Sequence, residues 1–378
     1  MASAIAFEFG DQHRVAIANL AQMYDAWLES ARRAAALDFS FKVQHQSYKD
    51  AAYRYLYRLT DRRGNGYSLG ALSASLESLQ SRHTELKGQA LAGEKSHYAG
   101  ATQAGAIYKV LRLGTIASEA AAILRVMDVY GLLGNRFMVV GTNAMAAYEI
   151  EANARFAASV QSTEDFDLAW ARGNVTLVAG AALPSPWNAA RILDLANDDP
   201  LVKVANPAPA TLRDLLHRID ATYAKNTEPP FQLRNARGYE VDVLLARSIQ
   251  DEFPAEENLS PIPLEEQDWL LLGTQVAHIV AGRDGTPARL VAPDPRYFGL
   301  QKIWLSKKPE RTVVKKPKDH RQGLLVLNAV RDHMPHLPLD HAFKATLPSP
   351  LVPMFDEWRA QYESLPHGGA PASARSRW

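Results

Sequence analysis

The 378-residue chain contains no cysteine. Disulfides, thiolate nucleophiles and cysteine-based zinc sites are therefore excluded together. No stretch approaches the ~20 apolar residues of a membrane span. The start, MASAIAFEFGDQHR, lacks the basic segment and apolar run of a signal peptide, which makes a cytoplasmic location the expectation. Net charge is only +1, so no global field recruits nucleic acid, and any such surface must be local. P-loop, Rossmann-glycine and His-Glu-x-x-His patterns are missing, as is any internal repeat. What remains is an ordinary globular composition, 47% hydrophobic and 22% charged, on a chain long enough for two or three domains.

Hydrophobic spacing predicts a helix over 11–36, with Val15, Leu20, Met23 and Trp27 on its apolar side. Tyr53, Tyr55 and Tyr57 alternate with Arg54, Leu56 and Arg58, and Asp61, Gly64, Asn65 and Gly66 follow; this reads as a hairpin near 51–70. Interleaved aromatic and basic residues suit base stacking and phosphate contact, although a strand with one face in the core is the simpler account. Helices are expected over 73–90 and 103–132, with GEKSHYAG as a loop between them.

Near Gly134 the composition changes. RFMVVG reads as a buried strand, followed by a helix in TNAMAAYEIEANARFAA capped by Thr142 or Asn143, and then a second strand in SVQSTEDFDLAW. Helices over 186–198 and 208–225 and a hairpin in FQLRNARGYEVDVLLA complete this part. Beyond Asp251 a strand pair is expected around Arg283–Gly285, then helices at 296–307 and 318–333. His333, His336 and His341 read as loop histidines, and the tail GGAPASARSRW as disordered. The expected division is a mainly helical region 1–125, an α/β core 126–250, a mostly helical domain 251–365 and a tail 366–378.

Asp165 and Asp167 stand two apart in a predicted strand, so both face one side of it. Two adjacent carboxylates repel each other unless a cation lies between them. Asp242 interrupts the apolar run Val241, Val243, Leu244, where a lone carboxylate is costly unless paired or coordinated. Three hard oxygen donors suit Mg²⁺ or Mn²⁺. The plainer alternative puts Asp165 and Asp167 on a solvated edge and Asp242 at a turn.

The order of parts resembles the polymerase-β-type nucleotidyltransferase superfamily: strand, Gly141-Thr142, helix, strand with Asp165-x-Asp167, then a hairpin strand with Asp242. Within it, the chain is similar to the bacterial nucleotidyltransferase-fold proteins related to AbiEii-type toxins. RYFGLQKIWLSKKPERTVVKKPKDHRQ resembles their later motifs, through Lys302 and the Lys318-Asp319 pair, and YLYRLTDRRGNGYSLG resembles their leading segment. ALSASLESL stands where that group continues with a Pro-Arg-Ser-Pro-Glu-like stretch. The resemblance implies an α/β (α+β) fold, a polymerase-β-like palm with a mixed sheet between helical N- and C-terminal regions. It also implies NMP transfer from an NTP to an acceptor hydroxyl of RNA, tRNA or a protein, with release of pyrophosphate. In that scheme Asp165, Asp167 and Asp242 bind metal, Gly141 and Thr142 cradle phosphates, Lys302 contacts the triphosphate from the cleft, and Lys318 and Asp319 belong to the nucleotide site. The rivals are a catalytically silent nucleotide- or RNA-binding protein and a metal-dependent phosphodiesterase. Against the first stands the full set of three costly carboxylates; against the second, the Gly-Thr element preceding the acids.

Overall fold

The computed structural model describes residues 5–48, 51–61, 63–134, 136–157, 174–179 and 187–363. The helix Asp11–Ala36 forms as the spacing predicts, burying Leu20, Tyr24, Trp27, Leu28 and Ala31. Val15 departs from the expectation: it is 67% exposed, because it falls off the buried stripe. The three strands Ser40–Tyr48, Ala51–Leu59 and Gly66–Ala71 form an antiparallel sheet in that order. The first of them was not anticipated; its polar side chains mask the alternation.

A single helix, Ala74–Val110, runs where two helices and a loop were expected. Its four glycines, Gly88, Gly93, Gly100 and Gly105, cost roughly 1 kcal/mol each relative to alanine, which packing outweighs. The segment GEKSHYAG is held against the first helix: Ser30 Oγ lies 2.7 Å from His97 Nδ1, and the Trp27 and Tyr98 rings are 6.0 Å apart. At its far end Lys109 Nζ donates to the Arg283 carbonyl.

The central sheet is mixed. Its order is Phe137–Val140, Asn174–Ala179, Glu240–Ala246, Gln232–Arg234, Ala224–Lys225, with Pro263–Leu264 parallel to Glu240–Ala246. The Gln232–Arg234/Glu240–Ala246 hairpin matches its expectation. So does the antiparallel pair Val276–Gly282 and Pro287–Ala292, which the short strand Thr115–Ile116 extends in parallel. Helix Ser118–Val129 packs on this smaller sheet. One apolar core runs through Leu20, Leu124, Val139, Val243, Val280 and Val330.

The helix after Phe137–Val140 is shorter than expected. Gly141–Ala144 is a 3-10 turn, Met145–Glu151 is the helix, and Ala154–Phe156 turns into a strand paired with Ile5–Glu8. Ala144, not Thr142 or Asn143, stands at the helix N-cap, and no side chain caps it there. The expected helices over 186–198 and 208–225 shrink to Ala189–Leu193, which ends at Asp194 in a left-handed conformation, and Leu212–Leu216, and a further short helix, Pro200–Val204, opens on Pro200 between them. His336 and His278 each place Nε2 2.6 Å from an oxygen of Glu151, so His336 is a tie between elements rather than an idle loop residue.

Helices Pro295–Lys307 and Lys315–His333 pack closely, and Gly299 and Gly323 set the distance between them. A Cβ on Gly323 would stand 2.6 Å from the Gly299 carbonyl oxygen and 2.7 Å from Ile303 Cγ1. Gly323→Ala must push the helices apart, so a loss of about 1–3 kcal/mol is expected in urea unfolding. A variant as stable as the parent would show that no such close crossing exists.

Candidate active site

Strand register brings the first parts of the site to one level. Val140 pairs with Thr176, and Thr176 pairs with Asp242, so Gly141 follows a residue two strands away from Asp242. At ~4.8 Å per strand spacing, that is about 10 Å. Gly141 has φ +74°, a left-handed conformation that glycine adopts without strain, and open space lies where a Cβ would point. It redirects the chain from the buried strand into the 3-10 turn that carries Thr142.

Asp242 is half-buried in its strand, between the fully buried Val241 and Val243. Its Oδ1 accepts from Gln232 Nε2 at 2.7 Å, and Gln232 Oε1 accepts from Asn226 Nδ2 at 2.7 Å. This amide relay fixes the plane of the carboxylate. Asp165 and Asp167, the other two expected ligands, lie outside the described residues, as does the strand expected around them. Among the described residues, no group of three or more His, Asp or Glu side chains is arranged to hold a metal ion.

The basic part of the site comes from the C-terminal helices. Asp294 caps helix Pro295–Lys307, accepting from Arg296 N at 2.9 Å, while also accepting from Thr274 N at 3.0 Å. The Tyr148 hydroxyl donates to the Pro293 carbonyl at 3.0 Å, and its ring lies 5.1 Å from that of Phe298. The helix holding Lys302 is thereby docked on the helix that follows the Gly141-Thr142 turn.

Lys302 does not face open space. It is 7% exposed, its Nζ donates to Asp319 Oδ1 at 2.8 Å, and it sits 5.6 Å from the Phe298 ring centroid. This corrects the expectation of a lysine that reaches a triphosphate from an open cleft. Asp319, 2% exposed, accepts from Arg311 Nε through its other oxygen at 2.7 Å. Burial pushes the Lys302 ammonium below the ordinary lysine value, against the pull of Asp319. Lys318 is half-buried and pushed down to about 8, first by burial and then by neighbouring Lys302. Lys315 lies one helical turn before Asp319 and is exposed.

One turn after Asp319, the fully buried Gln322 donates from Nε2 to Thr142 Oγ1 at 3.3 Å. The lysine-aspartate cluster and the Gly-Thr turn, 180 residues apart in sequence, are thus joined through one amide. Gln322 and Gln232 were not picked out from the sequence. Single glutamines carry no local signal of such partners.

A mixed sheet that sets a glycine turn level with a strand carboxylate, under a cluster of cations, is a layout suited to phosphate groups. Residues 118–348, well over half the chain, match a protein-family model described as nucleotidyltransferase, in two overlapping stretches, 118–190 and 176–348. The chain belongs to that nucleotidyltransferase family, which places it among the transferases. No curated protein and no solved structure matches it.

Asp319 has two cations against it in a nearly dry setting. Asp319→Ala leaves Lys302 buried without its counter-charge, with an expected loss of about 3–5 kcal/mol. Lys302→Met removes the charge but keeps the volume and leaves Asp319 with Arg311, so its loss should be clearly smaller. Urea denaturation of both variants checks the order; equal losses would contradict it.

Proposed function

We propose that the protein is a metal-dependent nucleotidyltransferase that moves an NMP from an NTP to an acceptor hydroxyl, on RNA, tRNA or a protein, and releases pyrophosphate. The observation that carries the reading is the group of cations on and between the helices that reach Thr142 through Gln322: Lys302, Arg311, Lys315 and Lys318 stand around the Asp319 carboxylate. Cations held this close repel one another, and a triphosphate is a ligand that offsets the repulsion.

In this reading Gly141 and Thr142 receive the β- and γ-phosphates, with Gln322 holding the Thr142 hydroxyl in place. Lys318 meets the phosphates from the half-buried rim. Lys302, kept in place by Asp319, contributes its field to the leaving pyrophosphate rather than a direct, mobile contact. Asp165, Asp167 and Asp242 supply three hard oxygen donors, a set that fits Mg²⁺ or Mn²⁺. That metal, when bound, supplies charge neutralisation on the phosphates and acidifies the acceptor hydroxyl. Asp242, oriented by Gln232, is also placed to take the acceptor proton. The relation to AbiEii-type toxins and a toxin-antitoxin role belong to the same proposal.

Two measurements test it. Asp167→Asn should abolish labelling of cellular RNA or protein by α-labelled NTPs with Mg²⁺ or Mn²⁺, while metal-free melting stays equal or rises, because like charges no longer repel. Wild type should gain melting temperature with Mg²⁺ plus NTP, and the variant much less. A variant that melts lower in every buffer and labels normally would point to a structural aspartate. The second measurement uses Lys318. Its folded value of about 8 lies below the ordinary lysine value of roughly 10.4, so near pH 9 it is largely neutral without ligand. A bound triphosphate raises that value, so binding near pH 9 should take up a proton, and Lys318→Met should not. Calorimetry in buffers of different ionisation enthalpy reads this directly, and an uptake identical in the variant would remove Lys318 from the site.

A further inference from the structure

The three-stranded sheet near the N-terminus has two unlike faces. One packs inward: Leu56 is fully buried, and Arg58, 6% exposed, donates to the Val204 carbonyl at 2.6 Å and to Asn206 Oδ1 at 2.7 Å. The arginines that alternate with the tyrosines therefore belong to the inward row. Arg54 continues that row and lies 3.7 Å from Glu77.

The outward row carries Tyr53, Tyr55 and Tyr57, which pair across the strands with Gln46, Gln44 and Lys42. Gln46 Nε2 lies 3.5 Å from the Tyr57 hydroxyl, which confirms the common face. Lys42, Gln44 and Gln46 are exposed, Tyr53 is 44% exposed, and Tyr55 and Tyr57 are half-buried. Gln46, Ser47, Tyr53 and Tyr55 border an open concavity of about 570 Å³. The described part of this row, which continues through Ser68 and Ala71 on the third strand, holds no carboxylate. Its one charge is Lys42, at the Tyr57 end, where the exposed turn residues Asp61 and Arg63 also lie.

We propose that this outward face is a docking platform for single-stranded nucleic acid, with bases stacking on Tyr53, Tyr55 and Tyr57 and the backbone drawn to Lys42 and Arg63. Tyrosine rings set two residues apart stand ~7 Å from one another along the strand, enough for separate bases. A ring face accepts any base, and the glutamine amides hydrogen-bond base edges without demanding one sequence. The described part of the row holds no carboxylate, so repulsion of phosphates is confined to Asp61 in the adjoining turn. A duplex hides its base faces and would not fit. Binding here stands apart from the nucleotidyl-transfer reading; only a role as acceptor strand would rest on it.

The test is fluorescence anisotropy of the full chain with labelled 12-nucleotide single-stranded RNA, the matching DNA strand and a 12-base-pair duplex, without NTP or metal. Both single strands should bind in preference to the duplex, and the RNA-to-DNA ratio reports any use of the 2′-hydroxyl. Tyr53→Ala and Tyr55→Ala should each weaken binding about ten-fold, and Tyr55→Phe should change it by less than about two-fold. Gln44→Glu places a negative charge at an exposed position without disturbing packing, so it should weaken binding while melting is unchanged. Single strands that fail to saturate, a duplex bound equally well, or a Gln44→Glu variant that binds like wild type would each overturn the proposal. So would a concentration-dependent dimer abolished by these substitutions, which would make a second copy of the chain the occupant.

Discussion

The carboxylate of Asp319, shut away from water between an ammonium and a guanidinium, is the constraint on which the site depends. None of the three charges tolerates burial alone, since each loses several kcal/mol of hydration. Together, Lys302, Arg311 and Asp319 restrict one another to a single arrangement. That arrangement tolerates little movement between the two C-terminal helices, whose backbones already meet at Gly299 and Gly323. Gln322, on the same helix face as Asp319, then has one position from which to reach Thr142. The Gly141-Thr142 turn is therefore held not by its own sequence but by a charge balance far along the chain.

The same dependence explains what could be read beforehand. Alternation exposed the strands holding Tyr53–Tyr57 and Asp242, and apolar periodicity exposed the helix around Leu20 and Trp27, because those signals are local. Lys302 and the Lys318-Asp319 pair stood out only through resemblance; nothing in their spacing announced that Lys302 would be buried rather than open. Gln322 and Gln232 were invisible for a physical reason: an amide has no preferred periodicity, and its value lies in the partner it meets. The helix Ala74–Val110 was divided wrongly because glycine preference is a weak local cost, and contacts from Ser30 and Trp27 outweigh it. Arg58 follows the simpler account, a strand with one face in the core. Its charge suggested a surface role, yet it ends inside, satisfied by Val204 and Asn206.

The long helix has a geometric consequence. Thirty-seven residues at 1.5 Å each make a rod of ~55 Å. One end follows the tyrosine-bearing sheet, and the other is tied through Lys109 to the turn between the strands Val276–Gly282 and Pro287–Ala292. The first helix runs alongside it and stiffens it. The separation between the sheet and the α/β body is thus a ruler marked in residues. Seven residues added at matching levels of both helices would move the sheet ~10 Å outward with nearly the same facing, while two would swing it to the far side. Length and rotation are coupled in such a strut, so its reach can be retuned only by insertions close to whole turns, such as about seven or about eleven residues.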